Sequence, residues 1–513
     1  MIRCTLSAAV GLVLITAGTM SRAAELPSST VVPSHPNILY ILCDDLGYGD
    51  IHAFNPTRGK IPTPNVDRLA SEGMSFTDAH SGSAVCTPSR YGILTGRYAW
   101  RTRLQSGVLN GMSEPLIAAS QLTVASMLKQ HGYATGAIGK WHLGLQMGDN
   151  KWTDPLKDDP LQHGFDYFFG ISASLDMPPF VYIENQRFME EPTVQKKWIR
   201  TGPAAKDFEA VNVLPDLTRK ASEYITAHAA DAKNGKSFFL YLAFTAPHTP
   251  ILPTPEWVGK SGLGPYGDFV MEVDDSAGKV LKTLDASGLA DSTLVIFTSD
   301  NGCSPAANVK LLESEGHYPS AEFRGYKADI WDGGHRIPFI VRWPGVVKAG
   351  TKCDEISCLN DLMATCAAII GETLPANAAE DSVNMLPAFL QEDSTPLREA
   401  VVHHSIDGCF AIRKGKWKLE LCAGSGGWAA PREYAAKKLG LPPIQLYDMS
   451  VDVSEQKNVA ADNPEVVKEL TTLLERYVEE GRSTPGPKET NDAPIDLHKE
   501  PKPPAPATAP RDD

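Results

Sequence analysis

From about Pro36 to Gly371, short apolar runs alternate with helix-like stretches, and this alternation restricts the fold more than any other feature of the chain. Ile38-Leu-Tyr-Ile-Leu-Cys43 reads as a buried strand, as do residues 134–138, 238–244 and 294–297. Residues 122–130, with Gly132 just beyond, and 217–232, closed by Asn234-Gly235, read as helices. The pattern predicts an α/β fold, a mainly parallel sheet flanked by helices, over 36–375. Residues 382–482 differ: a hairpin turning at Gly415-Lys416, then Gln445-Leu-Tyr-Asp-Met449, then a helix over 464–480. They predict a smaller C-terminal α+β domain carrying an antiparallel sheet. Residues 483–513 are rich in Pro, Ala and charge with almost no aliphatic content, which predicts a disordered tail.

A chain of 513 residues can bury a large core, and its formal charge of -14 argues against a nucleic-acid partner. An anionic substrate would therefore need local positive groups. Arg3, the small apolar stretch 6–17 and Ser21-Arg22-Ala23 predict a secretory signal over 1–23 and an exported protein, periplasmic or secreted. The alternative, a membrane anchor, is short at 6–20 and contains Ser and Thr; no other segment could cross a bilayer. A two-residue loop at Gly415-Lys416 sets Cys409 opposite Cys422, and Gly-x suits a type II′ turn. Both a disulfide and two free thiols are compatible with that pairing.

In open α/β sheets ligands bind beyond the carboxyl ends of strands, and the chemically capable groups fall there. Asp44-Asp45 follow the first strand. Lys140 and His142, within Gly139-Lys-Trp-His-Leu-Gly144, follow the second. His248, within Ala246-Pro-His-Thr249, follows the third, and Asp300-Asn301 follow the fourth. Asp44, Asp45, Asp300 and Asn301 are all oxygen donors, which suits a hard cation such as calcium or magnesium and not a His-rich zinc site. Three uncompensated carboxylates at one rim would repel one another, which also argues for a cation.

Cys86-Thr-Pro-Ser-Arg90 continues into Tyr91-Gly-Ile-Leu-Thr-Gly-Arg97. Cys-x-Pro-Ser-Arg fixes four positions, a match that chance supplies in roughly one chain in several hundred of this length. It resembles the signature of the type I, arylsulfatase A-like sulfatases, in which the cysteine is oxidised to Cα-formylglycine. Further blocks resemble the family in its own order: Asp44-Asp-Leu-Gly-Tyr-Gly-Asp50, Thr63-Pro-Asn-Val-Asp-Arg-Leu-Ala70, Gly139-Lys-Trp-His-Leu-Gly144, His163-Gly-Phe-Asp166, Thr298-Ser-Asp-Asn-Gly302, and Arg336-Ile-Pro338 to Trp343-Pro-Gly345. Leu446-Tyr-Asp448 with Ser454-Glu-Gln456 is similar to its C-terminal block.

The resemblance implies an alkaline-phosphatase-like fold, one bound calcium, a formylglycine-generating maturation enzyme as partner, and hydrolysis of sulfate monoesters on a sulfated saccharide or aryl sulfate. Position by position, it implies Asp44, Asp45, Asp300 and Asn301 as calcium ligands together with formylglycine 86, the nucleophile. Arg90 would hold the aldehyde hydrate. Lys140 and Lys327, the latter in Phe323-Arg-Gly-Tyr-Lys327, would bind sulfate, and His142 and His248 would be the catalytic pair. The layout most resembles enzymes acting on carbohydrate sulfates, including galactose and N-acetylgalactosamine 6-sulfates. Asp176, His317 and Trp331 are candidate sugar contacts, each with a structural role as the alternative. Two other functions compete: a phosphodiesterase or phosphatase of the same superfamily, and a non-catalytic sulfated-glycan binder should Cys86 stay unmodified. A cysteine hydrolase built on Cys86 lacks an oxyanion-type motif around the thiol.

Overall fold

The computed structural model describes Met1 and residues 32–33, 35–392 and 396–499. The expected signal segment and the last part of the expected tail, 500–513, lie outside the described residues apart from Met1. Five parallel strands form the centre of a ten-stranded sheet: β1 (Asn37–Asp44), β2 (Ala134–Lys140), β3 (Tyr167–Ile171), β4 (Phe238–Pro247) and β5 (Thr293–Ser299). They lie in the order β5-β1-β4-β2-β3 and are mutually parallel. Both flanks turn antiparallel, through Phe339–Arg342 beside β5 and Ile183–Glu184 beside β3. Every residue of β1, β2, β4 and β5 is buried, which is why these strands read as apolar runs and not as alternating ones. At Gly139 (φ +122) a Cβ would lie 1.7 Å from the Ala243 carbonyl oxygen, so only glycine lets β2 pass β4 on the way to Lys140.

The helices that matter here are α1 (Cys86–Thr95), α2 (Val124–Gln130), α3 (Val213–Lys233), α4 (Gly264–Ala286) and α5 (Pro464–Glu479). Thr123 caps α2 by accepting from the Ser126 N–H at 3.0 Å. The long helix α4 was not legible as a helix. Its buried acids turn inward to hold loops: Asp268 accepts from the Gly259 and Ser261 N–H groups, Glu272 from Thr254, and Asp274 from Asn65 and Val66. Acids on the buried face blur the apolar period that announces a helix.

The smaller sheet is antiparallel in chain order: β6 (Val401–His404), β7 (Phe410–Lys414), β8 (Trp417–Glu420) and β9 (Gln445–Asp448). α5 covers it with Leu470, Leu473, Leu474 and Tyr477, packed with Phe410, Ile412, Leu419 and Leu446. Lys414 pairs with Trp417 across the two-residue loop, and Gly415 has φ +54. Cys409 and Cys422 follow in register and are both buried free thiols. The described residues from Val32 to Lys499 form one compact unit that contains both sheets.

Beyond α5, the segment from Ser483 to Lys499 is not the disordered tail that its composition predicts. It is held by specific polar contacts: the Arg97 guanidinium pairs with Asp492 at 3.0 Å, the Asp492 N–H donates to the Arg101 carbonyl at 2.8 Å, and the Lys499 ammonium donates to the Gln105 carbonyl. Arg101 itself is fully buried and forms a bidentate pair with Asp381 at 2.7 and 2.8 Å. Buried arginines, with Ile495 and Leu497 packed against the cluster of the smaller sheet, supply the order that the composition does not announce. Among the described residues no helix is long and apolar enough to cross a membrane.

Candidate active site

The carboxyl ends of β1, β2, β4 and β5 and the N-terminus of α1 converge, and the ten residues given catalytic or metal roles from the sequence meet there. Cys86 is the first residue of α1 and 2% exposed. One donor atom each of Asp44, Cys86 and Asp300 lie within 4.8 Å of one another, as do those of Asp44, Asp45 and His248. Lys327 joins from a loop whose Ala328 N–H donates to the Ala84 carbonyl at 2.8 Å, two residues before Cys86. Asp45 (φ +64) and His142 (φ +60) both adopt left-handed backbone, a conformation that costs non-glycine residues free energy and clusters at functional sites.

The three carboxylates are not uncompensated, contrary to the expectation of repulsion drawn from the sequence. Lys140 Nζ donates to both oxygens of Asp44 at 2.9 and 2.8 Å. Lys327 Nζ donates to Asp45 Oδ2 at 2.9 Å. Arg90 donates to Asp300 Oδ2 through Nε at 2.9 Å and Nη2 at 2.7 Å, and through Nη1 to the Lys140 carbonyl at 3.0 Å. Three cations thus face three anions, and charge alone does not demand a metal. The better indication is an orphan: Asn301 Oδ1 is buried with no hydrogen-bond partner, while its Nδ2 donates to Asp45 Oδ1 at 2.8 Å. A buried amide oxygen without a donor is costly, and with three carboxylates beside it the donor set fits a hard cation.

The electrostatics divide the site. Against the upward push of burial, Lys140, His248 and Arg90 hold the Asp44 carboxyl well below the usual range. Burial, only partly offset by Arg90 and reinforced by Asp44, raises Asp300 to about 6. Burial also raises the Cys86 thiol despite Lys140 and Lys327, so the unmodified thiol is protonated and a poor nucleophile. Burial, aided by Lys140, holds His142 well below the ordinary histidine value, so the ring is neutral. Its Nε2 lies 2.7 Å from the Leu109 carbonyl, which requires a donor, so Nδ1 carries a lone pair; that atom is buried and has no partner. His248 Nδ1 donates to the Thr249 carbonyl at 2.6 Å, and its Nε2 accepts from Lys327 at 2.9 Å.

Of the candidate sugar contacts, Asp176 is fully buried, with Oδ1 3.9 Å from His248 Nδ1 and an ion pair to Arg200 on the hairpin Val194–Trp198 to Arg200–Ala204. His317 and Trp331 are structural. His317 donates from Nε2 to Asp50 at 2.8 Å and accepts the Lys60 N–H at 3.0 Å on Nδ1. Trp331 is 2% exposed and covered by the Arg324 guanidinium 3.5 Å from its ring centre. The sequence offered no signal for Arg200 or for Trp428, which stands beside Lys327; both arrive through long-range packing.

Residues 36–372 match the family model described as Sulfatase. The chain is 38% identical over 489 residues to N-acetylgalactosamine-6-O-sulfatase of Bacteroides thetaiotaomicron, covering 86% of this chain and 92% of that protein. It is 33% identical to human arylsulfatase A, covering 87% and 89% of the two chains. A solved structure from glycosaminoglycan metabolism in Bacteroides thetaiotaomicron superposes with a TM-score of 0.76 at 35% identity, covering 86% of this chain and 99% of that one. The family model covers the site from Asp44 to Lys327, and the chain belongs to the sulfatase family as a sulfuric ester hydrolase.

Proposed function

We propose that this enzyme removes sulfate from carbohydrate, of the galactose or N-acetylgalactosamine 6-sulfate type, using formylglycine formed from Cys86 and one calcium ion. The observation that carries the mechanism is residue 86 itself: a protonated, buried thiol lies among Asp44, Asp300, Lys140 and Lys327, useless as a cysteine nucleophile and well placed as an aldehyde hydrate. The relative named N-acetylgalactosamine-6-O-sulfatase supports the sugar, and the predicted export signal suits an extracellular glycan. Membership of the sulfatase family leaves the phosphodiesterase alternative without support.

Asp44, Asp45, Asp300 and Asn301 would hold the ion, which would supply positive charge against the sulfuryl oxygens and the hydrate. Arg90 fixes Asp300 and the Lys140 carbonyl, so it positions the ligand set; its bonds run there and not into the space in front of Cys86. Lys140 and Lys327 turn from Asp44 and Asp45 onto the sulfuryl oxygens as negative charge shifts toward the leaving group. One hydroxyl of the hydrate would attack sulfur and give up its proton to solvent as the bond from sulfur to the alcohol oxygen breaks. His248 Nε2, which accepts from Lys327 in the resting site, would take up a proton once Lys327 turns away and deliver it to the departing alcohol oxygen. His142 Nδ1, which holds a free lone pair, would take the proton of the remaining hydroxyl, the proton removal that lets an aldehyde hydrate release sulfate.

A panel of sulfated monosaccharides and disaccharides, assayed for released sulfate, tests the substrate. Turnover of galactose or N-acetylgalactosamine 6-sulfate is expected. Turnover confined to glucosamine or uronate sulfates would refute the sugar assignment.

A further inference from the structure

Trp428 is a large aromatic beside Lys327 that the mechanism leaves unused. Its ring centre lies 5.9 Å from Lys327 Nζ, on the side of the site where Lys327 and His248 meet. Trp100, Trp141, Trp331 and Trp343 are fully buried. Trp428 is half-buried, packs into no hydrophobic cluster, and its indole N–H has no hydrogen-bond partner among the described residues. A tryptophan so placed contributes little to the core.

Its backbone, by contrast, is held firmly. Asp329, two residues beyond Lys327 and fully buried, accepts from the Trp428 and Ala429 N–H groups, both at 2.9 Å on one carboxylate oxygen. The preceding Gly427 has no room for a side chain: a Cβ would lie 2.3 Å from the Ala328 carbonyl oxygen. Glu433 accepts from Gly424 at 2.6 Å and Gly426 at 3.1 Å, and the Ile330 N–H donates to the Ser425 carbonyl at 2.7 Å. The loop is therefore fastened to the segment that carries Lys327. Buried carboxylates spent on immobilising a half-exposed indole beside the sulfate-binding lysine are what a preorganised contact for a ligand requires.

Resting on the sugar reading above, we propose that Trp428 is the platform on which the pyranose ring of the substrate stacks, and that it selects galacto-configured sugars. In such a sugar the axial O4 leaves H3, H4 and H5 on one face, so that this face is a continuous apolar patch; the equatorial O4 of a gluco sugar interrupts it. The exocyclic C6 sets the sulfur three bonds from ring carbon C5, which matches a ring seated on Trp428 while the sulfuryl group reaches Lys327. The apolar face meets the negative face of the indole, and the free indole N–H can donate to a ring hydroxyl.

The test uses matured, calcium-loaded protein and compares wild type, Trp428→Ala and Trp428→Phe on galactose 6-sulfate, glucose 6-sulfate and 4-nitrophenyl sulfate. Wild type should prefer galactose to glucose 6-sulfate. Trp428→Ala should lose about tenfold or more in kcat/KM on galactose 6-sulfate, mainly through KM, and the galactose preference should collapse toward unity. Trp428→Phe should recover most of both. Thermal midpoint and calcium content, unchanged in Trp428→Ala, exclude general damage; if they fall, Trp428→Phe, which keeps a ring, and Trp428→Leu carry the comparison. A wild type active on galactose 6-sulfate whose Trp428 variants keep kcat/KM and sugar preference within twofold overturns the platform alone. A wild type inactive on every 6-sulfated hexose overturns the sugar reading as well.

Discussion

His142→Ala should stop the enzyme after sulfur has been transferred to residue 86. Among the described residues the Leu109 carbonyl is the ring's hydrogen-bond partner, at Nε2, and Nδ1 is a buried lone pair with no donor. Because burial and Lys140 keep the imidazole neutral, essentially every molecule at pH 7 holds the base in working form. Its removal therefore costs the full contribution of a general base, a factor of about 10² to 10⁴ in kcat, or roughly 3 to 5 kcal/mol. The first step does not use His142, so kcat/KM should fall much less. Stopped-flow release of alcohol should show a burst of one equivalent per formylglycine followed by slow turnover, and the peptide across residue 86 should carry one sulfuryl group. His248→Ala should behave differently: sugar sulfates, which need a protonated leaving oxygen, should suffer far more than nitrophenyl sulfate. Equal losses on both substrate classes for His248→Ala, together with no sulfated peptide in His142→Ala, would refute the division of labour.

Asp44→Ala/Asp300→Ala should abolish bound calcium and activity together, read by metal analysis of dialysed protein; stoichiometric calcium in that variant would contradict the site. Asp300, raised to about 6 in the metal-free protein, must lose its proton to bind calcium, so calcium should raise the thermal midpoint more at pH 7 than at pH 5, and chelated protein should show no such gain. The sign comes from the raised value: protonated Asp300 favours the metal-free fold, and that contribution is lost as pH rises through about 6. Arg101→Ala strands the buried Asp381 carboxylate and should destabilise the fold by about 3 to 5 kcal/mol in denaturant titration, with catalytic constants of the folded fraction unchanged.

Much of the site could be read because its residues sit at the ends of buried parallel strands. There a continuous apolar run stops at or just before a charge, abruptly at Cys43-Asp44 and two polar residues after Phe297 at Asp300, and both the strand and its functional end are local in the chain. The hairpin at Gly415-Lys416 was legible for the same reason, since a two-residue loop fixes its own register. What escaped depends on distant packing. α4 hides its helical period behind inward-facing Asp268, Glu272 and Asp274. The segment 483–499 is ordered by Arg97 and Arg101, which lie far upstream. His317 and Trp331 have sequence surroundings that leave them free to meet a sugar, yet Asp50, Lys60 and Arg324 enclose them, and nothing in the local sequence brings Trp428 to Lys327. Repulsion among the carboxylates does not by itself call for a metal, because Arg90, Lys140 and Lys327 come from three separate segments to neutralise them.

Residue 86 decides the mechanism. The protein, produced in a host with a formylglycine-generating enzyme and shown to be active, should be digested and the peptide spanning residue 86 identified by mass spectrometry. Formylglycine is expected in an amount that scales with specific activity across preparations, and Cys86→Ala should have no turnover. Full activity in protein whose residue 86 is entirely unmodified cysteine would contradict the mechanism.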